Sequence, residues 1–370
     1  MKKSVLLLFS AILFNSLNLF AQSEEEPWNY VDAKDLRIIN KGWENTARTY
    51  TRLPAHLEEL ARPDLWNRSE CSSGIAVRFA TDSKRIGVKY ELLWNTHMIH
   101  MADTGLKGTD LYIWEGDSVW RHVNTNRPYI KKDTEKEVES TYVSNLDGEM
   151  HEYMIYLPLY DGINELWVKV DSGAVITQGS MDLIEDGKRI VAYGTSILQG
   201  GCASRTGMAS TNILSRELNC EVVNLGFSGE GKMDNFMAEA MATIPDVDVF
   251  LIDPVPNCTE LMCDTLTYGF IKTLRELRPE VPIVMLEGPI YPYARYDSFF
   301  HDYLPAKNRA YKKNYELLKA ENPDNLYYLD SVDLDGVEDD GTVDGIHLTD
   351  LGFRHYANKV KPILQQLLEK

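Results

Sequence analysis

The sequence predicts two folded parts, an all-β domain followed by an α/β domain, and two observations carry that prediction. Between about Asp32 and Ile184, short β-rich runs are separated by turn signals such as Asp147-Gly148, Asp161-Gly162 and Asp171-Ser172-Gly173. Long helical patterns are scarce there, which argues for an antiparallel sandwich. From Arg189 onward, short apolar runs alternate with longer segments in which apolar residues recur every three or four positions. Repetition of strand, loop and helix implies a parallel sheet with helices on both faces.

Taken in order, the chain opens with Lys2 and Lys3 ahead of an apolar stretch from Val5 to Phe20, interrupted by Ser10, Asn15, Ser16 and Asn18, then Ala21 before polar Gln22-Ser23-Glu24. That pattern reads as a secretory signal peptide over 1–21. The interruptions leave too few consecutive apolar residues for a bilayer span. A periplasmic or secreted product is expected, with a β-domain over 22–185 and an α/β domain over 186–370. In the first, strands are expected at Ile75 to Phe79, Ile86 to Leu93, Leu111 to Trp114, Tyr153 to Leu157 and Leu166 to Val170. The charged stretch Lys131 to Glu139 reads as a solvated loop or strand edge. In the second, strands near Ile190 to Tyr193, Glu221 to Leu225, Val247 to Ile252, Ile283 to Leu286 and Leu326 to Leu329 alternate with helices over Met208 to Leu218, Met233 to Met241, Asp264 to Leu277, Tyr303 to Ala320 and Leu351 to Leu368. No internal repeat or low-complexity linker is visible.

The 370 residues carry a formal net charge of −18, and loss of Lys2 and Lys3 with a signal peptide would leave the rest more acidic still. Nucleic acid and anionic membrane surfaces are poor partners for such a chain. There are five cysteines, Cys71, Cys202, Cys220, Cys258 and Cys263; Cys258 and Cys263 lack the spacing of a zinc site, and no histidine-rich cluster accompanies them. A chain of this length can bury an ample core without a disulfide scaffold. Cys258 and Cys263 are near enough in sequence to pair, which sequence alone does not settle.

Chemistry concentrates in the second half. Ser196 directly follows an apolar run ending Tyr193-Gly194-Thr195, and Asp344-Gly345-Ile346-His347 sets an acid three residues before an imidazole. A serine at a strand end is exposed to a base and to substrate. His347 would take its proton, with Asp344 orienting the ring. Ligands of open parallel sheets bind outside the carboxyl ends of the strands, where Ser196, the Gly229 loop and Asn257 would meet. Ser196 lies in Gly-Thr-Ser-Ile-Leu, not the Gly-x-Ser-x-Gly of an α/β-hydrolase.

These blocks resemble, in order, those of an SGNH or GDSL-type hydrolase. Gly194-Thr195-Ser196-Ile197 resembles the nucleophile block, with Thr195 where the family usually has aspartate, and Asn224-Leu225-Gly226-Phe227-Ser228-Gly229 ends on the glycine that matches an oxyanion-hole donor. Asp253-Pro254-Val255-Pro256-Asn257 stands in place of Gly-x-Asn-Asp, so Asn257 is the weakest match, whereas the Asp344 to His347 block is complete. In the first half, Thr104-Gly105-Leu106-Lys107-Gly108-Thr109-Asp110-Leu111-Tyr112 resembles the Gly-x-Asp-Leu-Tyr domain that precedes one SGNH subgroup. The resemblance implies a flavodoxin-like three-layer α/β/α domain after a jelly-roll-like sandwich. It also implies a Ser196, His347 and Asp344 triad, an oxyanion hole from Ser196, Gly229 and Asn257, and no cofactor or metal. Gln199, Gly200, Gly201, Arg205 and Glu287 are candidate substrate contacts, each with an equal or stronger structural reading. His100 and Asp110 read as structural, and Trp94, Trp114 and Trp120 as core residues or a sugar platform.

The expected function is hydrolysis of acyl esters, acetyl first, on a carbohydrate. Alternatives are an acyltransferase, lipase or thioesterase of the same fold, or a non-catalytic glycan-binding protein.

Overall fold

The computed structural model describes residues 27–370 apart from 117–118, 133, 181–186, 335 and 337–338. The expected signal peptide over 1–21 and the expected junction at 185 lie outside the described residues.

The first half contains β1 (Trp28–Asp32), β2 (Arg37–Ile39), α1 (Pro63–Ser69), β3 (Ala76–Thr81), β4 (Ile86–Leu92), α2 (Asp103–Leu106), β5 (Asp110–Glu115), β6 (Val119–Thr125), β7 (Glu137–Val143), β8 (His151–Tyr156), β9 (Ile163–Asp171) and β10 (Ile176–Thr177). They pair antiparallel into two sheets, a four-stranded one ordered β1-β9-β4-β7 and a six-stranded one running β10-β3-β8-β5-β6 with β2 on β3. Alternate residues face inward, so Val77, Phe79, Val88, Tyr90, Tyr153, Ile155, Leu166 and Val168 fill the space between the sheets. The charged stretch before Glu139 runs into β7, an edge strand, where charge discourages pairing with another chain. Trp114 and Trp120 pack edge to face, rings 5.2 Å apart, against the outer cluster that contains Tyr112 and Tyr156. Of the three tryptophans weighed as a sugar platform, these two are packing residues.

The second half contains β11 (Arg189–Gly194), α3 (Ser196–Gln199), α4 (Ser210–Leu218), β12 (Glu221–Gly226), α5 (Asn235–Ala242), β13 (Val249–Asp253), α6 (Glu260–Leu277), β14 (Ile283–Leu286), α7 (Ser298–Glu321), β15 (Leu326–Leu329) and α8 (Asp350–Leu368). The five strands are parallel in the order β12-β11-β13-β14-β15, the flavodoxin-like 2-1-3-4-5 arrangement. Alternation along each strand supplies two cores. Val191, Tyr193, Phe250, Ile252, Ile283 and Met285 face α5, α6 and the middle of α7. Ile190, Ala192, Val249, Leu251, Val284 and Leu286 face α4 and α8.

Both cores also take side chains from the first half. Leu53, Leu57, Leu65 and Trp66 complete one, and Met101, Leu106, Leu159 and Tyr160 the other. Periodicity could not reveal this, because these residues lie in irregular or short helical segments of the first half.

Candidate active site

Strand order reverses beside β11, so the loops after β11 and β13 diverge and leave a crevice at the carboxyl edge. The loop after β11 carries Ser196, whose side chain is nearly buried at 7% exposure. Thr195 caps the one-turn helix α3, its Oγ1 accepting from the Ile197 amide at 3.3 Å. Threonine, which stands here where the family usually has aspartate, serves as a standard N-cap. The Ser196 carbonyl accepts from the Gly201 amide at 2.8 Å and from the Tyr160 hydroxyl at 3.1 Å. A first-half residue therefore helps fix the serine turn.

His347 Nε2 lies 3.0 Å from Ser196 Oγ, and its Nδ1 lies 2.8 Å from Asp344 Oδ2. The other carboxylate oxygen, Oδ1, accepts from the backbone amides of Ile346 at 3.0 Å and His347 at 2.8 Å. Partial burial pushes the Asp344 carboxyl up, but the His347 hydrogen bonds and the Ile346 amide outweigh it and hold the pKa at about 2. Asp344 is therefore ionised at neutral pH and fixes the Nδ1–H tautomer, which leaves Nε2 as the acceptor toward Ser196.

The loop after β12 brings Gly229 to the same edge. Its φ is +74°, and a Cβ there would meet nothing within 4 Å, so glycine is required by backbone conformation, not by space. Two residues on, a Cβ at Gly231 would lie 1.9 Å from the Gly194 carbonyl, so this loop packs directly on the end of β11. Asn257 ends a 3-10 turn after β13, and its Nδ2 donates to the Phe227 carbonyl at 3.2 Å. That bond uses one of its two amide protons. The cluster of Ser196, His347, Asp344, Gly229 and Asn257 thus spans four loops at one sheet edge.

The weaker candidates have internal partners, in line with the structural reading that stands beside substrate contact for each of them. Gln199 is fully buried, donating to the Leu159 carbonyl at 3.0 Å and accepting from the Ser228 amide at 2.8 Å, so it ties the Gly229 loop to the first half. Arg205 donates to Asp110 Oδ2 and to the Tyr112 hydroxyl, both at 2.7 Å. Glu287 accepts from the Tyr328 hydroxyl at 2.7 Å and from Ser331, fastening β14 to the end of β15.

Asp110 and His100 read as structural from the sequence, but their partners, and the roles of Tyr112 and Arg62, were not legible there. Asp110 and Tyr112, the acid and aromatic of the Gly-x-Asp-Leu-Tyr motif, grip Arg205 in the loop after α3, and Asp110 also accepts from the Gly207 amide at 2.8 Å. The motif is an inter-domain clamp. Arg62 donates to Glu230 at 2.7 Å and also binds Asp234, holding the loop that contains Gly229. His100 stands with its ring 5.6 Å from that of His347. Its place just before the Gly-x-Asp-Leu-Tyr stretch was the only signal available. All five cysteines are buried thiols, so the possible Cys258 to Cys263 pair is not bridged. Burial, with the nearby Asp344 charge, pushes the Cys202 thiol up to about 12. No helix among the described residues is long and apolar enough to cross a membrane.

Fold and cluster define a class, an SGNH-type α/β domain joined to an antiparallel sandwich. The chain belongs to the GDSL-like lipase/acylhydrolase family. That family's model matches residues 187–365, and the model of the GxDLY domain, the N-terminus of SGNH-hydrolase-type esterases, matches 28–176. A protein from Bacteroides ovatus ATCC 8483, described as a GDSL-like lipase, is 32% identical with TM-score 0.86, over 93% of this chain and 98% of its own. A salicylyl-acyltransferase of a tetracycline biosynthetic pathway shares the fold at 17% identity and TM-score 0.72, over 94% of this chain and 98% of its own. So does a family two carbohydrate esterase from Cellvibrio japonicus, at 13% identity and TM-score 0.57, over 93% and 99%. No curated protein matches the chain significantly.

Proposed function

We propose that this chain is an exported serine esterase that removes an acetyl group, or another small acyl group, from a carbohydrate. One observation carries the chemistry: the hydrogen-bonded line from Ser196 Oγ through His347 to Asp344. In this reading His347 Nε2 takes the Ser196 proton as Oγ attacks the ester carbonyl carbon. The carbonyl oxygen gains negative charge, and the amides of Ser196 and Gly229 with the Asn257 side chain donate to it. Asp344, already ionised, stabilises the imidazolium. His347 then protonates the departing sugar oxygen and next activates the water that releases the acid. Support for a sugar substrate comes from carbohydrate esterases that share the two-domain layout, and support for export from the leader-like residues 1–21.

The test is acetate release from a panel of acetylated oligosaccharides. Ser196→Ala and His347→Ala should each abolish release while retaining the native melting profile, and undiminished turnover would overturn the proposal. An alcohol acceptor included in the assay separates hydrolysis from acyl transfer.

A further inference from the structure

Beside the serine, three potential metal ligands from separate parts of the chain converge. One ring nitrogen each of His100 and His347 and the Cys202 sulfur lie within 4.8 Å of one another. We propose that His100, Cys202 and His347 form a binding site for a borderline-soft divalent cation such as zinc, and that occupancy shuts the esterase off by taking the lone pair of the His347 Nε2. Inhibition rests on the reading of His347 as the base; binding does not.

The donor set is chemically apt. Imidazole nitrogen and thiolate sulfur are both zinc ligands, and a site with three protein ligands keeps a fourth position for water or the Ser196 hydroxyl. Tetrahedral coordination with bonds of about 2.0 to 2.3 Å needs donor separations of roughly 3.4 to 3.6 Å, so the three must close by about 1 Å. His100 can supply that movement. Its side chain is exposed, and it lies in the irregular segment between β4 and α2.

The second layer is already in place, because a metal-bound histidine characteristically gives its other N–H to a carboxylate, and His347 Nδ1 is held by Asp344 at 2.8 Å. Cys202 sits in a tight turn with φ +74°, uncommon for a residue other than glycine. On binding, the thiol releases its proton to solvent. The charges of thiolate, Asp344 and a divalent cation then cancel.

The experiment titrates the metal-free protein with cobalt(II) as a spectroscopic probe and with zinc against hydrolysis of para-nitrophenyl acetate. One cobalt per chain is expected, with a near-ultraviolet thiolate-to-cobalt absorption that Cys202→Ser removes and His100→Ala weakens. Zinc should inhibit reversibly, a chelator should restore turnover, and the half-inhibiting concentration should rise at least about tenfold in either variant. Cobalt binding without the thiolate band, or unchanged zinc sensitivity in His100→Ala, would overturn the proposal. His100 is exposed, so its variant tests the site even if Cys202→Ser folds poorly. Wild-type protein that hydrolyses no ester would count against the esterase reading, and the cobalt spectrum would still decide the site.

Discussion

At the scale of single residues, Asp253 shows how a side chain can matter without touching the chemistry. It ends β13, is fully buried, and accepts from the Tyr356 hydroxyl at 2.8 Å, while its Oδ1 has no partner among the described residues. Burial disfavours the carboxylate and pushes the pKa up to about 8 against the opposing Tyr356 bond. In the unfolded chain the group titrates near 4. As pH rises from about 4 to about 8, the unfolded state sheds this proton and the folded state keeps it, so this group's contribution to stability falls. Asp253→Asn keeps an acceptor for Tyr356 and removes the slope. Its melting temperature should exceed that of the native protein at pH 7 to 8, with little difference near pH 4, in thermal melts across that range. Nothing in the sequence marks Asp253 this way, since its isolation comes from α8, a hundred residues later. Ser196, Asp344, His347 and Gly229 could be proposed from sequence because each sits in a short local block and the blocks come in the family order.

At the scale of elements, the site is a set of loop ends held in register by the sheet. Asn257 belongs here, because its motif differs from the family pattern and only the 3-10 turn after β13 brings it to the Phe227 carbonyl. Asn257→Ala should lower kcat by roughly 10² to 10³, about 3 to 4 kcal/mol of transition-state stabilisation, with a small change in KM. Steady-state kinetics on the ester found in the acetate screen would check it, and a loss confined to KM would remove Asn257 from the oxyanion hole. The helices and strands of the second half were readable to within a few residues because period 3.6 and continuous apolar runs are strong signals. α1 and β1 were not, being short and closed by contacts far away in the chain. For Gln199, Arg205 and Glu287 the sequence left a structural and a substrate-contact reading side by side. Polar residues near a nucleophile allow both until their internal partners are known.

At the scale of the whole molecule, the two halves are mutually dependent. The buried Asp110 carboxylate faces Arg205 across the junction, and removing one partner of such a pair leaves an uncompensated charge. Arg205→Met should cost about 3 to 5 kcal/mol. It should lower the melting temperature and slow hydrolysis by loosening the turn after Ser196, while the protein still unfolds in one transition. Two separated calorimetric transitions would instead mean that the halves are independent. Reading the sequence as two domains was correct for sheet type, and the shared cores were invisible because they depend on which irregular segments lie on the α/β half.

Those shared cores set a schedule for synthesis. Leu53, Leu57, Leu65 and Trp66 leave the ribosome long before β11 and β13 exist to cover them, so an apolar surface must wait while more than a hundred further residues are made. His347 follows later still, after every strand of the parallel sheet. A nascent chain of this protein is therefore a natural client for holding factors, and it acquires His347 only when nearly everything that positions it has been translated.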